Sequence, residues 1–265
     1  MFDYFGSITA YLEELSTESV SEMTNPTEIE QSKKNAAKAA LAFIDDNAII
    51  GIGSGTTVVY FVESLAKLIK EEKKENLKLI PSSLQIRHLL KKLNLQSASL
   101  WDIEHIDITI DGADEVDANL NLLKGGGGAH TFEKVLAYNS SKYIIIADFR
   151  KYVAQLCTNH PIPIEVLPDA SNFVLSTLKK SGGNPEIRLA SRKIGPVVTD
   201  NGNLIIDYFP TSTQLRDLSS LNRFLKSIPG VVETGLFLNM ATTVIRGYPS
   251  KVDILNNKKS GKTDS

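Results

Sequence analysis

The chain has 265 residues, of which 42% are hydrophobic, enough to bury a core in one large domain or two modest ones. Its net charge of −2 argues against a nucleic-acid-binding protein, which would carry a clustered basic surface. The single cysteine, Cys157, excludes an intrachain disulfide and a thiolate metal cluster. No apolar run is long enough for a transmembrane helix, so we expect no membrane partner.

The two ends of the chain differ in composition from the rest. The first 25 residues carry five acidic residues and no lysine or arginine, unlike a secretory signal or a transit peptide. We therefore interpret residues 1–26 as an acidic extension, either a docking segment or poorly ordered, and we expect a cytoplasmic protein. Residues 256–265 are predicted to be a disordered polar tail.

From residue 27 the sequence alternates between helical and strand patterns. Apolar spacing predicts these elements in chain order: helix 27–46, strand 48–52, helix 58–71, strand 77–80, helix 84–93, strand 105–111 and strand 143–147. Such alternation predicts an α/β fold with a parallel sheet, which binds ligands at the carboxyl ends of its strands. The loops that follow three of these strands, at 53–57, 111–114 and 148–151, should therefore converge on one edge.

The pattern changes after about residue 155. The elements predicted there are strand 164–167, helix 173–180, a hairpin over 196–208 and helix 215–228. The hairpin is closed by residues 200–203, whose Asn-Gly pair is typical of a tight turn. Two helices with antiparallel strands predict a small α+β domain, and strands at 235–237 and 241–247 could complete either domain.

Four charged residues suited to proton transfer surround a run of four glycines between residues 110 and 135: Asp111, Asp114, Lys124 and Glu133. Consecutive glycines cost chain entropy on folding, but they let backbone N–H groups approach a ligand. Thr131 to Val135 is predicted to start a helix, and Glu133 in its first turn is either a rigidly held base or a solvated acid favoured by the helix dipole. The two aspartates could bind Mg²⁺, although Lys124 would compete with the metal and could instead stabilise an oxyanion.

The sequence Gly-Ser-Gly-Thr-Thr at 53–57 lies between a predicted strand and a predicted helix. Its backbone N–H groups, hydroxyls and helix N-terminus favour an anion, while a plain tight turn with a Ser/Thr cap is the alternative. It lacks the Gly-Lys-Ser/Thr of a P-loop and the third glycine of the dinucleotide fingerprint. Together with a carboxylate base and a lysine, this loop predicts proton abstraction beside a sugar carbonyl, without a redox cofactor.

Seven segments resemble the type A ribose-5-phosphate isomerases. They are GIGSGTT (51–57), IDGADEVD (110–117), KGGGGAHTFEK (124–134), IADFRK (146–151), PIPIEVLP (161–168), VTDNGNLIID (198–207) and PGVVETGLF (229–237). The resemblance implies interconversion of ribose 5-phosphate and ribulose 5-phosphate through an enediolate, in the non-oxidative pentose phosphate pathway. It also implies that no metal or organic cofactor is used and that the protein is a homodimer or homotetramer.

Carried over by position, the resemblance assigns roles to the charged residues. Glu133 would move the proton between C2 and C1, and Asp111 and Asp114 would contact the sugar hydroxyls. Lys124 and the N–H groups of the glycine run would hold the enediolate oxygens. The remaining predicted substrate contacts are Lys33, Ser54, Gly55, Thr56, Thr57, Gly112, Ala113, Gly125, Gly126, Gly127 and Lys151.

The family fold implies a Rossmann-like domain of residues 27–154 and 235–255 and a smaller ferredoxin-like α+β lid of residues 155–234. His130 departs from the family, which usually has an apolar residue there, and we predict that it packs or caps the helix start. Phe149-Arg150 replaces a small or acidic pair, so Lys151 could be presented differently. The MATTV segment at 240–244 resembles plant-type members, some of which are plastid proteins.

Two alternative functions stay open at this point. The first is a non-catalytic sugar-phosphate sensor on a related fold, which would be expected to lose Glu133 or Lys124. The second is another phosphosugar isomerase, or a metal-dependent enzyme that uses Asp111 and Asp114 as ligands.

Overall fold

The computed structural model describes residues 25–191 and 193–257. Its α-helices over these residues are α1 (Pro26–Ala40), α2 (Thr56–Lys70), α3 (Leu84–Lys92), α4 (His130–Tyr138), α5 (Ser171–Lys180) and α6 (Leu218–Ser227). Its strands are β1 (Ile49–Ile52), β2 (Lys78–Pro81), β3 (Ile106–Asp111), β4 (Glu115–Val116), β5 (Leu122–Leu123), β6 (Ser140–Asp148), β7 (Ile162–Val166), β8 (Asn184–Ile187), β9 (Leu204–Phe209), β10 (Val231–Thr234), β11 (Leu236–Phe237), β12 (Thr243–Gly247) and β13 (Val252–Asn256). The acidic extension up to residue 24 and the tail from residue 258 lie outside the described residues.

The larger sheet has six strands in the order β13-β12-β6-β3-β1-β2. All neighbouring pairs are parallel except β12 and the edge strand β13, which are antiparallel. Its five parallel strands follow the 2-1-3-4-5 order of doubly wound sheets, in which the strand order reverses between β1 and β3. Since ligands bind beyond the carboxyl ends at this reversal, the sheet brings together the loops after β1 and β3. The predicted parallel α/β sheet is confirmed.

Buried β-branched residues explain why these segments form the centre of the sheet. Ile50 and Ile52 of β1, Ile110 of β3 and Ile146 of β6 are fully or almost fully buried against α1 and α2. Branching at Cβ favours the extended backbone, and burial on both faces requires apolar side chains.

Among the residues that the structure describes, no helix combines the length and the apolarity needed to cross a bilayer.

The second sheet is antiparallel, with the strand order β10-β7-β9-β8. The chain runs through it as β7-α5-β8-β9-α6-β10, which is the split βαβ pattern of ferredoxin-like folds. Val174 of α5 and Leu221 and Leu225 of α6 pack on this sheet. The predicted ferredoxin-like α+β unit is therefore confirmed.

The predicted hairpin over 196–208 is wrong in its first arm. β9 pairs with β8 and β7, and the segment before the turn forms only isolated bridges, such as the one between Val198 and Leu204. The tight turn itself is present, with Gly202 at a φ of +80° and the Thr199 N–H donating to Asn203 O at 2.8 Å. β8 escapes prediction because it begins with Asn-Pro, which strands tolerate only at an edge such as this one.

Three short antiparallel strands, in the order β11-β5-β4, form a third sheet that is not hydrogen-bonded into the other two but packs in the cores of both. The segment 235–237 therefore completes neither large sheet, whereas 241–247 supplies β12 of the parallel sheet.

We propose that the chain is divided into two domains, one of residues 27–154 with 235–255 and one of residues 155–234. It is supported by the change of sheet between β6, which ends at Asp148, and β7, which starts at Ile162.

Candidate active site

One ammonium group lies between two carboxylates at the carboxyl end of the parallel sheet. Lys124 Nζ is 3.0 Å from Asp111 Oδ2 and 3.1 Å from Glu133 Oε2, and it also donates to Gly112 O at 2.6 Å. No more than 5% of any of these three side chains is exposed. Asp111 closes β3, Lys124 follows β5 and Glu133 lies in the first turn of α4, so three separate elements build this cluster.

The environment of Glu133 suits a base that works near neutral pH. Its Oε1 accepts a hydrogen bond from the Ser54 N–H at 3.1 Å, while Lys124 holds Oε2. Burial, together with the negative charge of Asp111, raises the pKa of Glu133 to about 7 although Lys124 opposes the shift. Since a base is most effective when its pKa is close to the working pH, Glu133 can take up and return a proton.

Burial alone would lower the pKa of Lys124, but Asp111 and Glu133 outweigh it and raise that pKa. Lys124 therefore stays positively charged beside the base. A fixed positive charge in a site with little water strongly stabilises an oxyanion that develops next to it.

Asp111 is fully buried, and its carboxylate accepts hydrogen bonds from other groups of the protein. It accepts hydrogen bonds from the Gly112 N–H at 2.7 Å and the Tyr143 hydroxyl at 3.0 Å, besides its contact with Lys124. Burial raises the pKa of Asp111, and Lys124 opposes the shift most strongly. Asp111 lies behind Lys124 and orients it, so its predicted direct contact with a substrate hydroxyl stays a prediction.

A cleft of about 300 Å³ opens beside this cluster. Every predicted site residue except Asp111 lines it: Lys33, Ser54, Gly55, Thr56, Thr57, Gly112, Ala113, Asp114, Lys124, Gly125, Gly126, Gly127, Glu133 and Lys151. Residues that lie far apart in the sequence are thus brought to one cavity, as the convergence of the three loops predicts. Their individual roles stay predictions.

One part of the cleft is built to attract an anion. The 15-residue helix α2 starts at Thr56 with its N-terminus in the cleft, directly after Gly55, whose φ is +108°. Lys33 Nζ donates to Thr56 Oγ1 at 3.0 Å and adds a positive charge there. N–H groups at a helix N-terminus, the helix dipole and a lysine together favour a bound anion, and the predicted binding of a phosphate group there stays a prediction.

The glycine loop is held by groups on both sides. Arg188 Nη1 donates to the carbonyl oxygens of Gly125 at 2.8 Å and Gly126 at 3.0 Å, and Asp207 holds the Arg188 Nε at 2.8 Å. The Gly126 N–H donates to Asp114 Oδ2 at 2.8 Å. In this arrangement the Gly126 N–H is occupied by Asp114, so a ligand would have to share or replace that bond.

Sequence reasoning missed several residues that line the cleft. They are Ser83, Gln85, Gly128, Ala129, Arg150, Val197, Val198, Thr199 and Asp200. Four of them, residues 197–200, precede or belong to the turn at 200–203. The VTDNGN pattern at 198–203 is the one sequence signal that could have indicated them. Nothing in the spacing of that segment shows that it reaches across to the parallel sheet.

Both departures from the family pattern have a place in the structure. His130 is fully buried beside Gly125, and burial lowers its pKa to about 4, so the ring is neutral at pH 7. The prediction that His130 packs at the helix start is confirmed. Phe149 stacks on Tyr248 with ring centroids 5.6 Å apart, and Lys151 still lines the cleft.

Over the described ranges, 25–191 and 193–257, no group of three or more His, Cys, Asp or Glu side chains is arranged to hold a metal ion. The predicted absence of a metal and of an organic cofactor stays a prediction.

Comparison with known proteins identifies the family. The family model for ribose 5-phosphate isomerase A (phosphoriboisomerase A) matches residues 78–251. The chain belongs to this family. A ribose-5-phosphate isomerase A from Korarchaeum cryptofilum is 45% identical over 227 residues, which span 86% of this chain and 98% of the relative. A ribose-5-phosphate isomerase from Sus scrofa is 47% identical over 222 residues, which span 82% of this chain and 72% of the relative.

Solved structures of the ribose 5-phosphate isomerase A family share the fold. A D-ribose-5-phosphate isomerase in complex with phospho-erythronic acid superposes with a TM-score of 0.82 at 41% identity, covering 86% of this chain and 99% of that one. The ribose 5-phosphate isomerase from Plasmodium falciparum gives a TM-score of 0.79 at 36% identity, with the same coverage of both chains. The resemblance inferred from the seven sequence segments is confirmed.

Proposed function

We propose that this chain interconverts D-ribose 5-phosphate and D-ribulose 5-phosphate through an enediolate. The observation that carries the proposal is the buried Glu133, with a pKa raised to about 7, beside the charged Lys124 in one cleft. The ligand of a related D-ribose-5-phosphate isomerase, phospho-erythronic acid, supports a sugar phosphate as the occupant of this cleft.

The substrate is oriented by its phosphate group. The N-terminus of α2, the Lys33 ammonium and the Thr56 hydroxyl receive the phosphate oxygens, because all three offer donors or positive charge. Lys151 adds a second cation on the wall of the cleft. With the phosphate fixed there, the open-chain sugar extends toward Glu133 and Lys124.

Proton transfer then takes place between neighbouring carbons. Glu133 removes the proton from C2, and the electron pair of that C–H bond forms the C1–C2 double bond while O1 becomes negatively charged. Lys124 stabilises this oxyanion, and a proton moves from O2 to O1. Glu133 returns its proton to C1 as the carbonyl forms at C2, so the base is regenerated. Asp114, which lines the cleft, is suited to the transfer between oxygens.

The test is conversion of ribose 5-phosphate to ribulose 5-phosphate by the purified protein in EDTA, beside Glu133→Gln. We expect the wild type to be active and the variant to lose about 10³-fold or more in kcat with unchanged substrate binding, because only the base is removed. An inactive wild type that still binds ribose 5-phosphate would favour the sensor alternative. Activity that EDTA abolishes would favour the metal-dependent alternative.

We also propose a cytoplasmic homodimer or homotetramer. The outer face of α4 supports association, because Phe132, Val135 and Tyr138 are 40%, 42% and 87% exposed there, and exposed apolar patches mark interaction sites. Light scattering during gel filtration measures the mass directly. A particle of 29.1 kDa, the mass of one chain, would contradict the oligomer.

A further inference from the structure

Glu165, on β7 of the antiparallel sheet, is a fully buried carboxylate outside the cluster around Lys124. Four side-chain donors from two other parts of the chain converge on it. Its Oε1 accepts from Thr199 Oγ1 at 2.8 Å, Asn203 Nδ2 at 2.9 Å and Asn201 Nδ2 at 3.1 Å, and its Oε2 accepts from Thr131 Oγ1. Burial would raise the pKa of Glu165, but these hydrogen bonds outweigh it and lower that pKa. Glu165 is therefore ionised at neutral pH.

We call the two chain segments that are hydrogen-bonded to Glu165 its arms. The first arm is the first turn of α4, which carries the proposed base. Thr131 is the second residue of α4, and Glu133 lies two residues further along the same first turn. The hydrogen bond from Thr131 to the buried Glu165 carboxylate fixes this turn. The same turn carries the Glu133 carboxylate, which must be aligned with the C–H bond of the substrate. Since misplacement of a reacting group by about 1 Å can cost roughly 100-fold in rate, such a restraint affects turnover directly.

The second arm also lines the cleft. We call residues 197–203 the roof turn, because 197–200 line the cleft and 199–203 are tied to Glu165. Asp200 Oδ2 accepts from the Leu84 N–H at 2.7 Å, which joins the roof turn to the start of α3 as well. Displacement of the roof turn would change the shape of the substrate cavity.

We propose that Glu165 is a positioning residue that couples the roof turn to the first turn of α4. A buried carboxylate can only accept, so the hydroxyls of Thr131 and Thr199 must both donate to it, and this fixes the orientation of both arms. An apolar residue would fill the same space at a lower desolvation cost, but without directing either arm. This inference rests on the proposed function, because it assigns the positioned helix to catalysis.

Single-arm variants separate the two effects. Thr131→Val keeps the shape of the side chain and removes its hydroxyl, and we expect kcat to fall by about 10-fold with KM within about twofold of the wild type. Thr199→Val should mainly raise KM, by about fivefold, because the roof turn shapes the cavity. Thr177→Val is the matched control, since Thr177 Oγ1 donates to Phe173 O within α5 and has no other hydrogen bond among the described residues. Its kinetics should equal those of the wild type.

Coupling through Glu165 is tested by combining changes. Glu165→Gln should lower kcat and raise KM together, and Thr131→Val in that background should add less than about twofold, because the shared partner is already altered. The loosened first turn should also admit water to Glu133 and move the acid limb of kcat/KM to lower pH. Unchanged kinetics and pH profile in folded Thr131→Val and Glu165→Gln, with only Tm lowered, would reduce Glu165 to a structural role and overturn the proposal.

A measurement without turnover keeps this inference distinct from the proposed function. Amide hydrogen exchange in the roof turn should become faster in Thr131→Val, and exchange in the first turn of α4 should become faster in Thr199→Val. If each change stays confined to its own arm, the coupling is refuted even in an active enzyme. An inactive wild type would contradict the proposed function, while the exchange result would still decide whether Glu165 joins the two arms.

Discussion

Gly53 lies so close to Asp111 that a Cβ atom on Gly53 would be 1.8 Å from Asp111 Oδ1. The Gly53 N–H donates to Ile110 O at 2.9 Å, and the next N–H, of Ser54, reaches both Asp111 and Glu133. The glycine is therefore required by the contact between the ends of β1 and β3, where the strand order reverses. This contact holds Asp111, and through it Lys124, at the edge of the cleft.

Gly53→Ala should displace the Asp111 carboxylate, because no contact of 1.8 Å can persist. We expect a loss of stability of about 1–3 kcal/mol, as for other overpacked sites, together with a large loss of kcat. Urea unfolding and the isomerase assay measure the two effects. Gly127→Ala is the control for stability, because a Cβ there meets nothing within 4 Å. Equal stability of the two variants would contradict this account of Gly53.

The pH dependence of kcat/KM should show an acid limb with an apparent pKa of about 7 in the free enzyme. Burial raises the pKa of Glu133 to about 7, and the base must be unprotonated to accept a proton from C2. Activity should therefore fall about tenfold for each pH unit below this value. Measurement of initial rates from pH 5 to 9 at low substrate concentration tests the prediction. An acid limb near 4.5, the ordinary value for glutamate, would show that Glu133 is solvated in the working enzyme.

The sequence predicts most of the parallel sheet because local signals are strong there. Buried isoleucines mark β1 and β3, and glycines or polar turns follow both strands, so the strands and the loops at their ends are evident. The bounds differ by a few residues, as in β6, which runs from Ser140 to Asp148 where the apolar run alone predicts 143–147. The backbone hydrogen bonds of a strand can continue beyond its buried apolar residues into exposed or polar ones. Those end residues carry no apolar pattern, so the sequence does not predict them.

Contacts between distant segments are harder to predict. The sequence gives no sign that Arg188 reaches the carbonyls of Gly125 and Gly126, or that Glu165 gathers donors from two separate segments. Such contacts depend on how the two large sheets face each other, which local propensity does not determine. The same limit applies to the full burial of Asp111 beside Lys124, which the sequence does not indicate.

Glu133→Gln should be more stable than the wild type at pH 8.5 and equally stable near pH 4. The pKa of Glu133 is raised from 4.5 to about 7 by burial, so the folded state retains a proton that the unfolded state releases. The contribution of Glu133 to stability is thus fully present below pH 4.5 and is lost as the pH rises through about 7. The variant keeps a neutral side chain, and linkage gives a difference of up to about 3 kcal/mol above that range. Urea unfolding at several pH values measures it. A difference that is constant with pH would contradict the raised pKa.

Lys124→Met should lower both turnover and stability, and the loss of stability should grow with pH. Without the ammonium, Asp111 and Glu133 are two buried carboxylates with no positive charge between them, so their pKa values rise further. Removing one partner of a buried ion pair costs about 3–5 kcal/mol. This cost should appear at pH 8 and shrink toward pH 5, because both carboxylates can then bind protons.

The same variant should lose about 10²–10³-fold in kcat, since the oxyanion at O1 has lost its main partner, and KM should rise as well. Lys34→Met is the matched control, because Lys34 pairs with Glu30 on the surface with about half of each side chain exposed, and such pairs contribute little. Urea unfolding at pH 5 and pH 8, followed by steady-state kinetics at pH 8, compares the two variants. An equal loss of stability at both pH values would show that the methionine disturbs packing and that the two carboxylates do not depend on Lys124 for their charge.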